Sequence, residues 1–541
     1  MLFRRNKEEG NTNITAAKIA GGAGKTAWFL VKAAVTIALL AVFYTIIAGL
    51  LVADFGIQPL TDWFDSTFGV SIQEVIYTIT MPIKGADTNF LQSAVDYVRE
   101  YAEGPVMTGM ALMIGAEVLS YLMQLLVCTD KKHHGSFAAA RRVFRIVVLV
   151  VCIGGMWPGV VYAESKLHIS EYLLVRSQQT KIYDEKYVEP LDVVSRDEKT
   201  KNIINIYMES MESTYASKAE GGWQPSNNYI PNLTYLADKY ISFSGENGTM
   251  SGSHPITGTT WTMGALFATT TGVPFSFPVE QNSMDEYNSF ASGITAIGDV
   301  LEKYGYNQEF LCGSDGDFAG RKDYFEQHGN YKVYDYFQAI KDGYIDEDYF
   351  VWWGFEDSIL YEIAKDEITK LAAKDEPFNF TLLTVDTHHV AGYFCDHCEW
   401  IYPTQLENVI VCADYQVAEF IEWIQKQDFY EDTVIMVTGD HPRMDVLLVS
   451  DTDYYDRTVY NCFIAKDMES YDLSNTEKRL FTPMDLMPTA LSFMGFDIEG
   501  DRIGLGTDLF SDTPTLAEEM GYDTLEKELQ KYSEFYITKF N

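Results

Sequence analysis

The sequence predicts an α/β protein with a mainly parallel sheet flanked by helices, preceded by a three-helix transmembrane anchor. Three apolar runs fall within the first 164 residues, and they predict the anchor. From about residue 201 onward, strand-like and helix-like patterns alternate, as in sheets whose parallel strands are joined by helices. Three predicted strands end at side chains that bind metals, and open α/β sheets gather ligands beyond the carboxyl ends of their strands.

The three apolar runs cover residues 27–52, 106–127 and 143–161. Each is close to the roughly 20 residues that a helix needs to cross a bilayer. A cleaved signal peptide would account for the first run only, so its length and the two later runs favour a retained anchor. Because 541 residues exceed what one compact core holds, we expect residues 1–164 to form a separate unit.

Charge around these runs predicts the orientation of the chain. Basic residues precede the first run and lie between the second and the third, whereas the segment between the first two is acidic. Because basic segments stay in the cytoplasm, we expect a multi-pass protein with a cytoplasmic N-terminus. Residues 165–200 are interpreted as a juxtamembrane connector, and residues 201–541 as an extracellular or periplasmic catalytic domain. The basic residues are Arg4, Arg5, Lys7, Lys18, Lys25, Lys131, Lys132, Arg141 and Arg142.

The composition excludes nucleic acid as a partner. With 78 acidic and 40 basic side chains, the formal net charge is −38, and nucleic-acid binding needs a basic footprint. The same acidity disfavours adhesion of the outer domain to anionic lipid headgroups, so we expect the anchor to supply the contact with the membrane. An acidic surface also serves solubility alone.

Predicted helices of the outer domain lead into predicted strands, which is the pattern of βαβ units. The helices cover residues 294–304, 356–373 and 409–425, and they precede strands near Asn307, Phe380 and Val434. A last, amphipathic helix is predicted over residues 516–532.

Metal-binding side chains follow three of the predicted strands. The first strand, from residue 202, ends at Glu209, and the strand near residue 380 leads to His388. The strand near residue 434 ends at Asp440 and His441. Because the carboxyl ends of parallel strands converge on one crevice, we expect these side chains to meet in a metal-dependent active site.

A nucleophile is predicted in the segment Gly258–Gly264, which reads Gly-Thr-Thr-Trp-Thr-Met-Gly and leads into an apolar, helix-like run. A hydroxyl at a helix N-terminus gains from the positive end of the helix dipole, and backbone N–H groups there bind phosphate. A metal ion lowers the pKa of such a hydroxyl and makes it a competent nucleophile. Threonine at a helix start is also a common cap, so residue type alone leaves both interpretations open.

The cysteine count rules out a disulfide-dense scaffold. Seven cysteines occur in 541 residues, and two of them fall at or within the apolar runs. Cys395 or Cys398 could pair with Cys412 across a short loop, which an oxidising exterior permits. The Cys395–Cys398 segment is also half of a zinc motif, but the sequence has no second pair at zinc spacing, which favours a structural loop.

Six short motifs occur in a consistent order between about residue 202 and residue 510. They are Tyr207-Met208-Glu209-Ser210, Gly258-Thr259-Thr260-Trp261-Thr262, Asp317-Phe318-Ala319-Gly320-Arg321, Asp386-Thr387-His388-His389, Gly439-Asp440-His441, and Met484-Asp485-Leu486-Met487-Pro488-Thr489 with Gly504-Leu505-Gly506. Together they resemble the lipoteichoic acid synthase and phosphoglycerol transferase family, membrane-anchored members of the alkaline phosphatase and sulfatase superfamily. The closer likeness is to the branch that modifies periplasmic glucans. The resemblance implies a protein of the bacterial cell membrane whose outer domain has a sulfatase-like fold.

The resemblance also implies one divalent cation, Mn²⁺ or Mg²⁺. Its ligands would be Glu209, Thr259, Asp440 and His441, and Thr259 would be the nucleophile as well. Carboxylates and a hydroxyl form a hard oxygen set, and a single imidazole suits manganese somewhat better than magnesium.

Substrate contacts are implied for five further residues. His388 would hydrogen-bond the phosphate or protonate a leaving group, Arg321 would hold the phosphoglycerol, and Thr262 would support the phosphate. Trp261 and Phe318 line the glycerol pocket or belong to the core. Neighbouring residues remain alternatives: Glu212 for Glu209, His389 for His388, Lys322 for Arg321, and Thr260 or Thr262 for Thr259.

The implied activity moves sn-glycerol phosphate from phosphatidylglycerol to a hydroxyl of a glycan or of polyglycerol phosphate, through a phospho-threonine intermediate that forms as diacylglycerol leaves. A phosphoethanolamine transferase and a non-catalytic sensor or scaffold of the same fold are the alternatives. A sulfatase is disfavoured because the chain has no Cys-x-Pro-x-Arg or Ser-x-Pro-x-Arg segment. Arg443 and the Cys395–Cys398 segment depart from the family pattern and leave the acceptor open, and the oligomeric state is open too.

Overall fold

A computed structural model describes residues 5–68, 88–127, 131–196, 200–243, 250–276, 291–388, 390–449, 452 and 456–540. The chain divides into two compact units. The first comprises residues 1–63 and 89–166, and the second comprises residues 64–88 and 167–541.

The first unit consists of long helices. They are α1 (Arg5–Phe68), α2 (Thr88–Val127) and α3 (Lys131–Leu167). Within the described residues, three spans are long and apolar enough to cross a membrane: Ala27–Phe64, Ala94–Leu126 and Gly135–Leu167. The sequence predicts the same three helices but shorter ones, because polar residues at their ends end the apolar runs without ending the helices.

Apolar side chains of these helices point outward, as expected of a membrane anchor. Trp28 and Leu125, for example, are 71% and 83% exposed. Inside the unit, the Glu117 carboxylate is paired with Arg145 and accepts a hydrogen bond of 2.6 Å from the Tyr44 hydroxyl. A carboxylate between apolar helices needs such partners, because an unpaired charge there is costly.

The second unit is built around a mixed sheet that helices cover on both faces. Its strands are β1 (Val194–Arg196), β2 (Asn202–Met208), β3 (Gly252–Ser253), β4 (Asn307–Cys312), β5 (Lys332–Tyr334), β6 (Phe378–Leu383), β7 (Thr433–Gly439), β8 (Val459–Ile464), β9 (Phe496–Ile498), β10 (Arg502–Ile503) and β11 (Gly506–Thr507). The central sheet has the strand order β3-β8-β7-β2-β6-β4-β5. Strands β7, β2, β6, β4 and β5 run parallel, whereas β8 is antiparallel to β7 and β3 is antiparallel to β8.

The helices of the second unit lie between these strands and after them. They are α4 (Ile169–Arg176), α5 (Ile182–Lys186), α6 (Pro190–Val193), α7 (Pro231–Lys239), α8 (Thr262–Thr271), α9 (Ile297–Lys303), α10 (Arg321–Gln327), α11 (Tyr336–Asp342), α12 (Asp357–Ala372), α13 (Gln405–Gln425), α14 (Leu486–Phe493), α15 (Leu516–Met520), α16 (Tyr522–Gln530) and α17 (Glu534–Phe540).

Strand β2 shows why its sequence is almost continuously apolar. Ile203 and Tyr207 belong to the core on one face of the sheet, and Ile204, Ile206 and Met208 belong to the core on the other. Helices α8, α9, α10 and α14 contribute to the first core, and α7, α11, α12 and α13 contribute to the second. Because both faces are covered, neither face of β2 can be polar throughout.

Two segments differ from the sequence prediction. Residues 165–200, predicted to be a connector, contain helices α4 to α6 and strand β1, which pairs with β9. The single helix predicted over residues 516–532 is two helices, α15 and α16. They meet at Gly521, whose φ of 81° is incompatible with a continuous right-handed helix.

Candidate active site at the carboxyl edge of the sheet

Three predicted metal ligands meet where β2 and β7 end. Ligand atoms of Glu209, Asp440 and His441 all lie within 4.8 Å of one another, and all three side chains are buried. The His441 Nε2 atom is 3.6 Å from Glu209 Oε1 and 3.4 Å from Asp440 Oδ2. The prediction that these side chains converge follows from the sheet order, since β2 and β7 are parallel neighbours.

The backbone around these ligands is tightly constrained. Ser210 adopts a left-handed conformation with φ of 52°, which lets its N–H donate to Asp440 Oδ1 at 2.8 Å and its hydroxyl donate to Glu209 Oε1 at 2.7 Å. A Cβ at Gly439 would lie 2.1 Å from the Met211 carbonyl oxygen, so only glycine fits there. Backbone strain of this kind concentrates at functional sites.

The tautomer of His441 is set by its own loop. Its Nδ1 lies 2.8 Å from the Pro442 carbonyl oxygen, which can only accept a hydrogen bond. Nδ1 therefore carries a proton, and the neutral ring presents the lone pair of Nε2 to the carboxylates of Glu209 and Asp440. A metal-binding histidine is oriented in the same way.

The electrostatics fit a divalent cation. Burial raises the pKa of Asp440 to about 7, and the negative charge of Glu209 adds to this shift. Burial also acts to raise the pKa of Glu209, but His388, His441 and the Ser210 hydrogen bond outweigh it and hold the pKa below its ordinary value. The buried Oδ2 of Asp440 has no hydrogen-bond partner among the described residues. Two crowded carboxylates, one of them with this unsatisfied oxygen, and an imidazole are a group of side chains that could hold a metal ion.

The hydroxyl beside this cluster belongs to Thr262. Its Oγ1 is 3.3 Å from His441 Nε2 and 3.4 Å from Glu209 Oε2. Thr262 is also the first residue of α8, so the positive end of the helix dipole reinforces the site.

Thr259 does not take the position that the sequence predicts for it. Its Oγ1 donates to the Ile256 carbonyl oxygen at 2.8 Å and accepts from the Ile256 N–H at 2.9 Å. The side chain is fully buried in that turn. Thr259 was predicted to be a ligand and the nucleophile, but in this structure Thr262 is the threonine whose hydroxyl lies beside Glu209 and His441, because local turn geometry aims the Thr259 hydroxyl at its own backbone.

A cleft adjoins the cluster. It is lined by Glu209, Thr262, Met263, Cys312, Gly313, Ser314, Phe318, Ala319, Arg321, Trp353, Leu383, Thr384, Val385 and His388. Three predicted substrate residues, His388, Arg321 and Phe318, are thus brought to one cleft with Thr262. The alternative His389 lies outside the described residues.

Arg321 is held rigidly at the wall of this cleft. Its Nε donates to the Phe318 carbonyl oxygen at 3.0 Å, and its Nη2 donates to Ser314 Oγ and to the Asp315 carbonyl oxygen, both at 2.9 Å. The side chain is only 5% exposed. A guanidinium fixed in this way is a preorganised group for binding an anion.

An aromatic wall contains one residue that the sequence did not single out. The Trp353 ring lies 4.8 Å from the His388 ring and 5.5 Å from the Phe318 ring, measured between centroids. The predicted residue Trp261 instead belongs to the apolar core against Phe275, so of its two open interpretations the structure favours the core. The sequence feature that could have indicated a binding role for Trp353 is the pair of tryptophans at residues 352–353, which lies in a stretch without helical periodicity.

Glu212, the alternative to Glu209, has a structural role. Arg457 forms a buried ion pair with its carboxylate, which also accepts the Arg443 N–H at 2.7 Å.

The Arg443 side chain is buried too: its Nε donates to the Asp445 carboxylate at 2.8 Å, and its Nη1 donates to the Thr387 carbonyl oxygen at 2.6 Å. Arg443 therefore anchors the loop before His388.

A buried acid pair supports the same loop. The Asp357 carboxylate accepts the Val385 N–H at 2.7 Å and the Asp386 N–H at 3.2 Å, and Asp386 Oδ1 accepts the Asp357 N–H at 3.2 Å. Burial raises the pKa of Asp357 from 3.8 to about 7. Burial, followed by the charge of Asp357, raises the pKa of Asp386 well above its ordinary value.

This acid pair predicts a pH-dependent stability. Because the folded state holds these protons more tightly than the unfolded chain, the contribution is complete below about pH 4 and is lost as pH rises through about 7. We expect Asp386→Asn to raise the thermal unfolding midpoint of the full chain at about pH 8 relative to the wild type, with a smaller gain at about pH 5. Intrinsic fluorescence in detergent measures both midpoints. Equal differences at the two pH values would contradict the assignment.

Comparison with known proteins places the chain in a family. The sulfatase family model matches residues 201–496. The phosphoglycerol transferase I of Xanthomonas axonopodis pv. citri (strain 306) is 31% identical over 255 residues, which are 46% of this chain and 34% of the relative. The phosphoglycerol transferase I of Salmonella choleraesuis (strain SC-B67) is 28% identical over 316 residues, which are 57% of this chain and 39% of the relative.

Among solved structures, the lipoteichoic acid synthase LtaP from Listeria monocytogenes is similar with 20% identity and a TM-score of 0.45, over 59% of this chain and 79% of that one. The chain spans only about a third to two-fifths of the length of the two curated relatives. Because the sulfatase family model covers more than half of the 541 residues, the chain belongs to the sulfatase family.

Proposed function

We propose that this protein is a membrane-anchored phosphoglycerol transferase that uses Thr262 as its nucleophile. One observation carries the proposal. The Thr262 hydroxyl starts a helix beside Glu209, Asp440 and His441, and it opens onto a cleft that also contains Arg321. A nucleophile, a metal donor set and an anion-binding side chain in one cleft are the parts that phosphoryl transfer requires.

The relatives support a proposal for the substrate class. The curated relatives that match this chain are named phosphoglycerol transferase I. Phosphatidylglycerol is therefore the donor that we propose, and the acceptor is a hydroxyl of a glycan or of polyglycerol phosphate. The apolar helices of the first unit support this choice, since a lipid donor requires an enzyme held at the membrane.

The proposed reaction has two steps. In the first, Thr262 Oγ1 attacks the phosphorus of phosphatidylglycerol, the phosphorus–oxygen bond to diacylglycerol breaks, and the leaving oxygen takes a proton. Phosphoglycerol is then esterified to Thr262. In the second step, the acceptor hydroxyl attacks the same phosphorus, and Thr262 regains its proton as its bond to phosphorus breaks. The two bonds formed replace the two bonds broken, so no oxidant or reductant is needed.

Residues of this chain would hold one divalent cation, proposed to be Mn²⁺ or Mg²⁺. Its ligands would be Glu209, Asp440, His441 and Thr262. When bound, the cation lowers the pKa of the hydroxyl and neutralises charge on the transferred group. Glu209 and Asp440 keep this position negative, while His441 presents Nε2 because Nδ1 faces Pro442.

Two further side chains would act on the substrate. Arg321, fixed by three hydrogen bonds, offers a positive charge to the phosphate oxygens. His388 stands at the cleft against Trp353 and is suited to pass a proton to the diacylglycerol oxygen. Phe318 and Trp353 would then contact the glycerol.

The charge pattern of the sequence supports the proposed topology, with a cytoplasmic N-terminus and the catalytic unit outside the bacterial cell membrane. Sulfate ester hydrolysis is disfavoured even though the chain belongs to the sulfatase family. No Cys-x-Pro-x-Arg or Ser-x-Pro-x-Arg segment occurs in the sequence, so the chain has no residue for the modified nucleophile of sulfatases.

Incubation with lipid tests the proposal directly. The full chain in detergent, supplied with Mn²⁺ and phosphatidylglycerol labelled in the glycerol headgroup, is expected to release diacylglycerol and to carry phosphoglycerol on the peptide that contains Thr262. Phosphatidylethanolamine is the matched control lipid. Peptide mass spectrometry identifies the adduct, and a phosphoethanolamine adduct in place of phosphoglycerol would reassign the enzyme to the phosphoethanolamine transferases.

A further inference from the structure

A second cluster of metal-binding side chains lies apart from the site proposed for catalysis. The Sγ atoms of Cys395, Cys398 and Cys412 all lie within 4.8 Å of one another. Cys395 Sγ is 3.5 Å from Cys398 Sγ and 3.9 Å from Cys412 Sγ. Cys395 and Cys398 belong to the loop between β6 and α13, whereas Cys412 lies on α13 itself.

These distances match the edge of a metal–thiolate tetrahedron. Zinc–sulfur bonds of about 2.3 Å place the sulfurs of one tetrahedral site about 3.8 Å apart. A disulfide joins two sulfurs at about 2.05 Å and would leave the third cysteine of this cluster without a role. All three cysteines are unbonded, and all three sulfurs converge on one point.

The surroundings of the cluster suit thiolates. Gln416 Nε2 lies 3.5 Å from Cys412 Sγ and 3.9 Å from Cys395 Sγ, so one amide donor serves two sulfurs. Cys395 and Cys412 are 3% and 6% exposed, while Cys398 is half-buried. The Cys398 N–H donates to the Cys395 carbonyl oxygen at 3.0 Å, which closes the turn between the first two sulfurs. Donors to the ligating sulfurs are typical of metal sites.

We propose that Cys395, Cys398 and Cys412 bind a structural zinc ion, with a solvent molecule or the neighbouring His397 as the fourth ligand. Each thiol gives up its proton as its sulfur binds, and no electron is transferred. The third ligand explains why sequence spacing alone showed only half a zinc motif: Cys412 comes from a helix 14 residues after Cys398.

The zinc ion would clamp the loop that carries His388 to helix α13. In that loop, the Tyr393 N–H donates to the Asp386 carbonyl oxygen at 2.7 Å, and Gln405 Nε2 donates to the Gly392 carbonyl oxygen at 2.7 Å. The first bond closes the segment from Asp386 to Tyr393, and the second links Gly392 to the first residue of α13. A zinc ion bound to Cys395 and Cys412 would add a second link between this loop and α13. Loss of the zinc ion would therefore make the wall of the cleft that contains His388 less rigid.

Cobalt substitution tests this site independently of activity. The full chain in detergent is purified with reductant, stripped of metal and titrated with Co²⁺. A thiolate-to-cobalt charge-transfer band is expected, and Zn²⁺ is expected to abolish it by displacement. The oxygen and nitrogen ligands of Glu209, Asp440 and His441 cannot give this band, so failure of the proposed catalytic site would leave the result unchanged.

Cysteine variants identify which thiolates give rise to the cobalt band. Cys412→Ser and Cys398→Ser are each expected to remove most of it, and the half-buried position of Cys398 makes the second variant the less disruptive to folding. Cys462→Ala is the matched control, because Cys462 is buried in β8 and should leave the band intact. Absence of the band in the wild type, its survival in both serine variants, or a disulfide among the three cysteines in protein isolated without reductant would overturn the proposal.

Discussion

Thr262→Val is expected to abolish the release of diacylglycerol from phosphatidylglycerol. Valine keeps the shape of threonine but has no hydroxyl to attack the phosphorus, and loss of a covalent nucleophile costs roughly 10⁴-fold or more in kcat. The hydroxyl lies 3.3 Å from His441 Nε2 and 3.4 Å from Glu209 Oε2, so the same variant also removes one oxygen from the metal donor set. Diacylglycerol release from phosphatidylglycerol labelled in its acyl chains measures the effect.

Thr259→Val is the matched control for this experiment. Among the residues that the structure describes, the Thr259 hydroxyl bonds only the backbone of Ile256, so its loss should cost stability, about 1–3 kcal/mol, but not the reaction. We expect activity per folded molecule to stay within a few-fold of the wild type. If Thr259→Val is inactive and Thr262→Val is active, Thr259 and not Thr262 is the nucleophile.

Asp440→Asn is expected to weaken Mn²⁺ binding at least about 100-fold, since removing a direct ligand costs more than removing a supporting group. Diacylglycerol release should fall with it. Asparagine keeps the Oδ1 that accepts the Ser210 N–H, but it lacks the negative charge that the cation needs. Isothermal titration with Mn²⁺, performed on metal-stripped protein, measures the affinity.

The unfolding temperature of the metal-free protein shows whether Asp440 binds metal or only supports the fold. Burial and the charge of Glu209 raise the pKa of Asp440 to about 7, so the ionised group is unfavourable in the metal-free protein. We therefore expect metal-free Asp440→Asn to unfold at a temperature equal to or above that of the metal-free wild type at neutral pH. Asp414→Asn, which alters a buried carboxylate bonded to Asn232 and Leu233, is the control and should bind Mn²⁺ normally. Unchanged Mn²⁺ affinity in Asp440→Asn would remove this residue from the ligand set.

Much of the fold could be predicted because its signals are local. The strand predicted near Asn307 is β4, which begins at that residue, and both ends of helix α12 lie within one residue of the predicted limits 356 and 373. The convergence of Glu209 with Asp440 and His441 was also predictable, since each follows a buried strand and parallel strands share one carboxyl edge. The break at Gly521 was harder to predict, because apolar spacing continues across it.

The sequence by itself determined the apolar helices, the alternating α/β architecture and the three ionisable side chains that we propose as metal ligands, because periodicity and strand ends are properties of neighbouring residues. Only the tertiary structure decided which threonine faces the cluster. Thr259 and Thr262 lie three residues apart, and the turn at Ile256 and the start of α8 direct one inward to its own backbone and the other toward His441. The third cysteine of the sulfur cluster required the same information, since Cys412 reaches Cys395 only when helix α13 packs against the loop before it.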